Sequence, residues 1–151
     1  MHITIKKFEA LTLEELYAIL RLRSEVFVVE QDCVYQDLDG KDQKALHVIG
    51  KKEGVVIAYT RLFKSGDYFE QASIGRVVVK KSERKYGYGH EIMIASIKAV
   101  REHLNETTIK ISAQTYLKKF YNSLGFKAIG EEYLEDGIPH IGMVKNQLPG
   151  S

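Results

Sequence analysis

Residues 74–93, IGRVVVKKSERKYGYGHEIM, run from an apolar strand pattern through a basic turn and Gly87-x-Gly89 into a helical pattern. Glycines at such a turn let backbone N–H groups approach a ligand that a Cβ would hold off. The start of the following helix offers unsatisfied N–H donors and the positive end of its dipole. Arg84 and Lys85 add full charges. Those parts suit a diphosphate. The dinucleotide fingerprint wants a third glycine where this chain has Ile92, and no acidic residue closes a second strand about 20 residues on, so NAD is disfavoured. The Gly-Lys-Ser/Thr of a Walker loop is absent. A plain strand-to-helix turn would use the same two glycines, so this motif alone leaves the ligand open.

Charge is distributed more tellingly than its net value of +2 suggests. Residues 25–42 carry Glu25, Glu30, Asp32, Asp37, Asp39 and Asp42 against Lys41, whereas 76–85 carry Arg76, Lys80, Lys81, Arg84 and Lys85 against Glu83. An acidic and a basic pole would suit a ligand with ends of opposite charge, or both are solvated surface. Net charge this small does not argue for nucleic acid, and no aromatic-interleaved basic face extends past the turn. The one cysteine, Cys33, excludes an internal disulfide and a multi-cysteine zinc site, and no basic partner lies near it in sequence. Five scattered histidines show no metal-ligand spacing.

The elements that must position these residues fit one domain over 1–151. A chain this long buries about 69% of its unfolded surface, enough for an ordinary core. No run approaches 18 apolar residues and the N-terminus lacks an apolar signal core, so the expected setting is a reducing cytoplasm, away from membranes. Alternation predicts a strand at 2–6. Thr12 with Glu15 is a capping-box pair ahead of a helix over 13–24, and the apolar run at 26–29 predicts a short second helix before a loop. Strands are expected at 45–52 and 55–64 around a Glu53-Gly54 turn, then at 72–79. A helix over 90–104, a strand at 108–113 and a short helix over 117–124 ended by Gly125 follow. The last strand pair, 127–134 and 140–144, turns at Glu135-Asp136-Gly137. This order gives an α/β (mixed α+β) fold with a central mixed sheet and helices on its faces.

Arg84-Lys85-Tyr86-Gly87-Tyr88-Gly89 resembles the Arg/Gln-x-x-Gly-x-Gly/Ala loop of the GNAT superfamily of acyl-CoA N-acetyltransferases. Phe120-Tyr121-Asn122-Ser123-Leu124-Gly125-Phe126 is similar to that superfamily's later Phe-Tyr-x-x-Leu-Gly-Phe segment. Two such motifs in this order are far more specific than either alone. Residues 22–31, LRSEVFVVEQ, with 35–40, YQDLDG, and 136–141, DGIPHI, resemble the ElaA-like branch, so the likeness spans nearly the whole chain. It implies the GNAT fold with a mostly antiparallel sheet, acetyl-CoA as donor and no metal, a small-molecule or peptide amine as acceptor, and room for a homodimer.

The resemblance also places roles. Val77, Val78 and Val79 would hold the pantetheine arm by their backbone and polarise the thioester carbonyl. Arg84, Lys85, Tyr86, Gly87, Tyr88, Gly89 and His90 would take the pyrophosphate. Tyr121 would protonate the leaving thiolate, unless it is only a packing aromatic. Many relatives carry Asn where this chain has Gln114-Thr115, so Gln114 stands as the cofactor contact there. The amine must lose a proton, and Glu30, Asp39, His47 and His140 are candidate bases. Glu30 follows an apolar run where partial burial would raise its pKa, or it is an ordinary helix-end carboxylate. Glu30, Gln31 and His140 are the expected acceptor contacts, and Glu30, Asp32, Asp37 and Asp39 favour a cationic acceptor. A CoA-binding module without turnover is the competing class.

Overall fold

The first helix, α1 (Leu13–Arg23), begins where the Thr12 and Glu15 spacing predicts. The Thr12 hydroxyl accepts from the Glu15 N–H and the Glu15 carboxylate accepts from the Thr12 N–H, each at 3.0 Å. Two donors left over at the helix start are thereby satisfied. Lys6 at 2.9 Å and Lys51 at 3.3 Å ion-pair the same carboxylate. The Thr12 N–H is the largest influence on Glu15; burial opposes it, the lysines add to it, and the carboxyl is held down at about 2. A group lowered on folding stabilises the fold above its unfolded pKa and loses that contribution as pH falls through its folded one. Stability is therefore expected to decline from near pH 4.5 to about 2. Acid denaturation of Glu15→Gln should show a flatter limb over that range, and an unchanged slope would remove Glu15 as its source.

The structure, a computed structural model, describes residues 1–147, so the last four positions of the expected 1–151 domain lie outside the described residues. No separate second helix forms after α1. Ser24 keeps helical angles (φ −62°, ψ −45°) and nothing caps the chain, so α1 runs on as a π-helical segment, Ser24–Glu30. The N–H groups of Gln31 and Cys33 accordingly reach back five residues to the Val26 and Val28 carbonyls at 3.1 Å.

Seven strands form one sheet: β1 His2–Lys7, β2 Leu46–Lys52, β3 Val55–Phe63, β4 Ala72–Val79, β5 Thr108–Gln114, β6 Lys127–Glu135 and β7 Ile138–Asn146. Their order is β1-β2-β3-β4-β5-β7-β6, antiparallel throughout except for β4 beside β5. Helix α2 (Tyr88–Leu104) makes the crossover between those two strands, starting two residues before the expected position. Alternation along β2 and β3 divides the core between the two faces. Val48, Ala58 and Leu62 pack with Ile92, Met93, Ile97 and Val100 of α2, while Ile49, Val56 and Tyr59 pack with Ile19, Leu22 and Val26. The short helix α3 (Lys118–Ser123) follows β5 and gives way to Gly125 at φ +94°, where the Phe126 N–H returns to the Tyr121 carbonyl at 3.1 Å. β6 includes Glu135, so the last turn is only Asp136-Gly137, both at positive φ, a two-residue hairpin.

Candidate functional site

Strands β4 and β5 pair only at Ala72 with Ile109 and at Ser73 with Lys110, and then part. A bulge helps to part them. Tyr59 sits opposite Val78 but Arg61 opposite Gly75, so β4 carries one extra residue there, and Arg76 takes a left-handed φ of +49°. Bulges of this kind bend a strand and re-aim its groups. From Ile74 to Val79 the backbone edge of β4 faces the gap instead of a partner strand. Of the three expected valines, Val77 lines the resulting cleft, Val78 turns its side chain into the α1 core, and the Val79 carbonyl accepts from Arg84 Nε at 3.1 Å.

Beyond β4, Lys81–Tyr86 make a tight helical turn into Gly87 (φ +75°), with nothing within 4 Å of where its Cβ would stand. No side chain caps the α2 start, so the N–H groups of its first turn, Tyr88-Gly89-His90, lie open to an anion. Lys52, in β2, joins this loop: its Nζ lies 4.2 Å from the Tyr86 ring centre and 5.6 Å from that of Tyr88. Lys85 approaches Tyr86 from 5.3 Å. Nothing in the sequence near Lys52 signals that position; hairpin geometry alone brings it in. A cradle of open N–H groups and cations fits the diphosphate end of CoA, and the free β4 edge fits an amide-bearing arm.

The cleft at the splay is lined by Gln31, Val77, Gln114, Tyr121, Glu135 and His140 among others. Tyr121 is 6% exposed and meets Phe120 and Phe126 edge-on, with ring centres 5.1 and 6.1 Å away. Burial first, and Tyr116 second, raise its phenol above the ordinary range. Gln114 Nε2 donates to Gln31 Oε1 at 3.3 Å, closing one side. His140 Nδ1 donates to the Ile138 carbonyl at 2.7 Å, which turns Nε2 toward Glu135 Oε2 at 3.2 Å. Glu135 is a site residue that sequence reasoning missed, because it read there as part of a turn. Cys33 also lines the cleft, its Sγ 3.3 Å from the Asp136 carbonyl oxygen.

The acidic pole is not a free surface. Asp37 ion-pairs Arg23 at 2.9 Å and Arg76 at 2.8 Å; Asp42 pairs Arg23 at 2.8 Å and Arg61 at 3.0 Å; Asp39 pairs Arg61 at 2.5 Å. Arg76 thus belongs with the acids rather than with the basic loop. Asp39 is spent in this network and is no free base. His47 is fully buried, accepting from Tyr59 Oη at 2.6 Å and donating Nε2–H to the Asp42 carbonyl at 2.9 Å. Burial lowers its pKa and keeps it neutral, away from the cleft. Glu30, expected at the acceptor side, is not among the residues lining the cleft. Its two oxygens hold the Arg84 guanidinium at 2.5 and 2.8 Å, tying the π-helical segment to the loop.

A family description, acetyltransferase (GNAT) domain, matches residues 9–147. The chain belongs to the GNAT acetyltransferase family. It is 42% identical to protein ElaA of Escherichia coli K12 over 140 residues, 91% of this chain and 92% of that protein. The crystal structure of E. coli ElaA superposes with a TM-score of 0.90, covering 97% of this chain and all of that one. An acyl-CoA N-acyltransferase from Pseudomonas aeruginosa is 43% identical with a TM-score of 0.90, over 96% of this chain and 99% of that one. At the level of fold alone, an aminoglycoside 6'-N-acetyltransferase crystallised with coenzyme A is similar, with a TM-score of 0.71 at 16% identity. GNAT membership supports acyl transfer from an acyl-CoA to an amine as the chemistry. Among the described residues no group of three His, Cys, Asp or Glu side chains could hold a metal ion, and no helix is long and apolar enough to cross a membrane.

Proposed function

We propose that this chain is an acetyl-CoA-dependent N-acetyltransferase in which a primary amine attacks the thioester directly and Tyr121 protonates the departing CoA thiolate. One observation carries this reading: the unpaired edge of β4 and the buried Tyr121 border the same cleft, which is where a thioester held by that edge would present its sulfur. The uncapped α2 start with Arg84, Lys85 and Lys52 would take the diphosphate. Arg84 is held out by Glu30 and the Val79 carbonyl, so Glu30 acts in this reading by orienting the loop rather than as the base. Gln114 and Gln31 would flank the acyl group.

Acetyl-CoA, and not NAD, should raise the melting temperature. At about 100 times Kd the gain is about 2.7 kcal/mol, or roughly 5–10 °C. Gly89→Glu is the decisive variant. A Cβ at Gly89 would meet Phe120 at 3.7 Å and Val79 at 3.8 Å, ordinary contacts, so the substitution leaves the helix intact. Its carboxylate, however, opposes a diphosphate at the helix start. The shift should vanish in Gly89→Glu while the unliganded melt changes little. A shift of wild-type size in that variant would remove the loop from the CoA site.

A further inference from the structure

The cleft beside Tyr121 does not end at the splay. A second cleft continues from it along the parting strands, sharing Gly75, Arg76, Ser112 and Glu135 and adding Phe63, Tyr68, Phe69 and Ser73. Glu135 also borders a third, with Tyr133 and Lys110. It is the one carboxylate common to all three. The other charges around it leave it free to act. Arg61, which also lines the second cleft, is taken by Asp39 and Asp42, Arg76 is taken by Asp37, and Lys110 sits over the Phe69 ring at 4.9 Å. Asp136 adds a second negative charge at the first cleft. The Glu135 side chain is 45% exposed, with His140 Nε2 3.2 Å from one oxygen and the Ser112 hydroxyl donating to the other at 3.4 Å.

The second cleft has an aromatic wall around one buried hydroxyl. Ser73 is 2% exposed, lines that cleft, and its hydroxyl has no hydrogen-bond partner. Around it stand Phe69 and Tyr68 edge to face at 4.8 Å, with Tyr68 stacked on Phe63 at 5.2 Å.

We infer that Glu135 seats the protonated primary amine of the acceptor and takes its proton, while the acceptor's aromatic or apolar body lies against Phe69 and Tyr68 in the second cleft. This rests on the acetyl-transfer reading above. The ammonium gives one proton to the Glu135 carboxylate, which is open enough to solvent to pass it on to water. The amine nitrogen then bonds to the thioester carbon, the carbon–sulfur bond breaks, and the sulfur takes the proton of Tyr121. The second proton leaving nitrogen restores the phenol. Acetyl amide, free thiol and one released proton balance the reaction.

The test measures thiol release under saturating acetyl-CoA with phenethylamine and with L-glutamate as probes, alongside the acetyl-CoA thermal shift. Phenethylamine should be turned over and preferred to L-glutamate. Glu135→Gln should lower kcat/KM for phenethylamine about 100-fold, the typical worth of a positioned base, with the acetyl-CoA shift unchanged. Phe69→Ala should raise KM for it about 10-fold with kcat nearly kept. Wild-type kinetics in E135Q, preference for L-glutamate, or no turnover of phenethylamine by a protein that acetyl-CoA stabilises would each overturn the inference. Absence of any acetyl-CoA shift in the wild type would instead strike the acetyl-transfer reading itself.

Discussion

Arg23→Met is expected to cost about 3–5 kcal/mol of stability, the toll of breaking a buried ion pair from one side. For a domain of this size that is a Tm lower by roughly 6–20 °C. Three guanidinium groups, Arg23, Arg61 and Arg76, face three carboxylates, Asp37, Asp39 and Asp42, so the network is neutral as built. Arg23 is fully buried and gives Asp37 a bond at 2.9 Å, Asp42 one at 2.8 Å and the Asp37 carbonyl one at 3.3 Å. Methionine fills much of the space but leaves one uncompensated negative charge out of water. For Asp42, burial pushes the carboxyl up, and Arg23 and Arg61 together outweigh it, holding it below the ordinary carboxylate range. With Arg23 gone the balance tilts toward burial and the folded-state carboxyl is easier to protonate, so mild acidification, which neutralises the uncompensated charge, should recover part of the loss in R23M. Arg23→Lys keeps the charge without the fork and should fall between the two. Denaturant unfolding at constant m-value reads the difference. A loss under about 1 kcal/mol in R23M would mean the network behaves like a surface ion pair.

That network shows what the sequence could and could not convey. The capping box at Thr12, the Glu53-Gly54 hairpin and the basic turn before Gly87 are local features, determined by residues within a few positions of one another, and they stand where spacing puts them. The partnership of Arg23 with Asp37 and Asp42 spans 14 and 19 residues and closes only when the loop folds over the helix end. In one dimension those aspartates look like a solvated acidic stretch, and Arg76 looks like part of the basic loop. The bulge that turns Arg76 toward Asp37 has no signature except the glycine before it. Glu135 was hidden for a related reason. The two-residue turn moves it into β6, and only the register of β6 on β7 brings it to His140. The basic loop before α2 is one contiguous segment, so its residues stand together in the sequence, whereas the cleft beside Tyr121 is lined from β4, β5, α3, β6, β7 and the end of the π-helical segment.

Tyr121→Phe should leave acetyl-CoA binding intact and lower kcat by about 10²–10³, within the usual contribution of a positioned proton donor. Only the hydroxyl is removed. The ring keeps its edge contacts with Phe120 and Phe126, so α3 and the core beneath it stay packed. A raised phenol pKa looks at first wrong for an acid that must protonate a thiolate. The same burial, however, disfavours both anions, and a thiolate developing beside Tyr121 leaves water as the phenol has. Proton affinity therefore rises on both partners, and the O–H stabilises the sulfur as charge builds on it. Two consequences separate this role from packing. The kcat loss in Y121F should shrink when the acyl donor carries a more acidic leaving thiol, because less stabilisation is then needed. And since burial holds the phenol's titration above its ordinary value of 10, the wild-type kcat should show no alkaline loss assignable to Tyr121 below that pH. Wild-type kcat in Y121F across donors of different thiol acidity would leave Tyr121 as a core aromatic and move the proton donor elsewhere in the cleft.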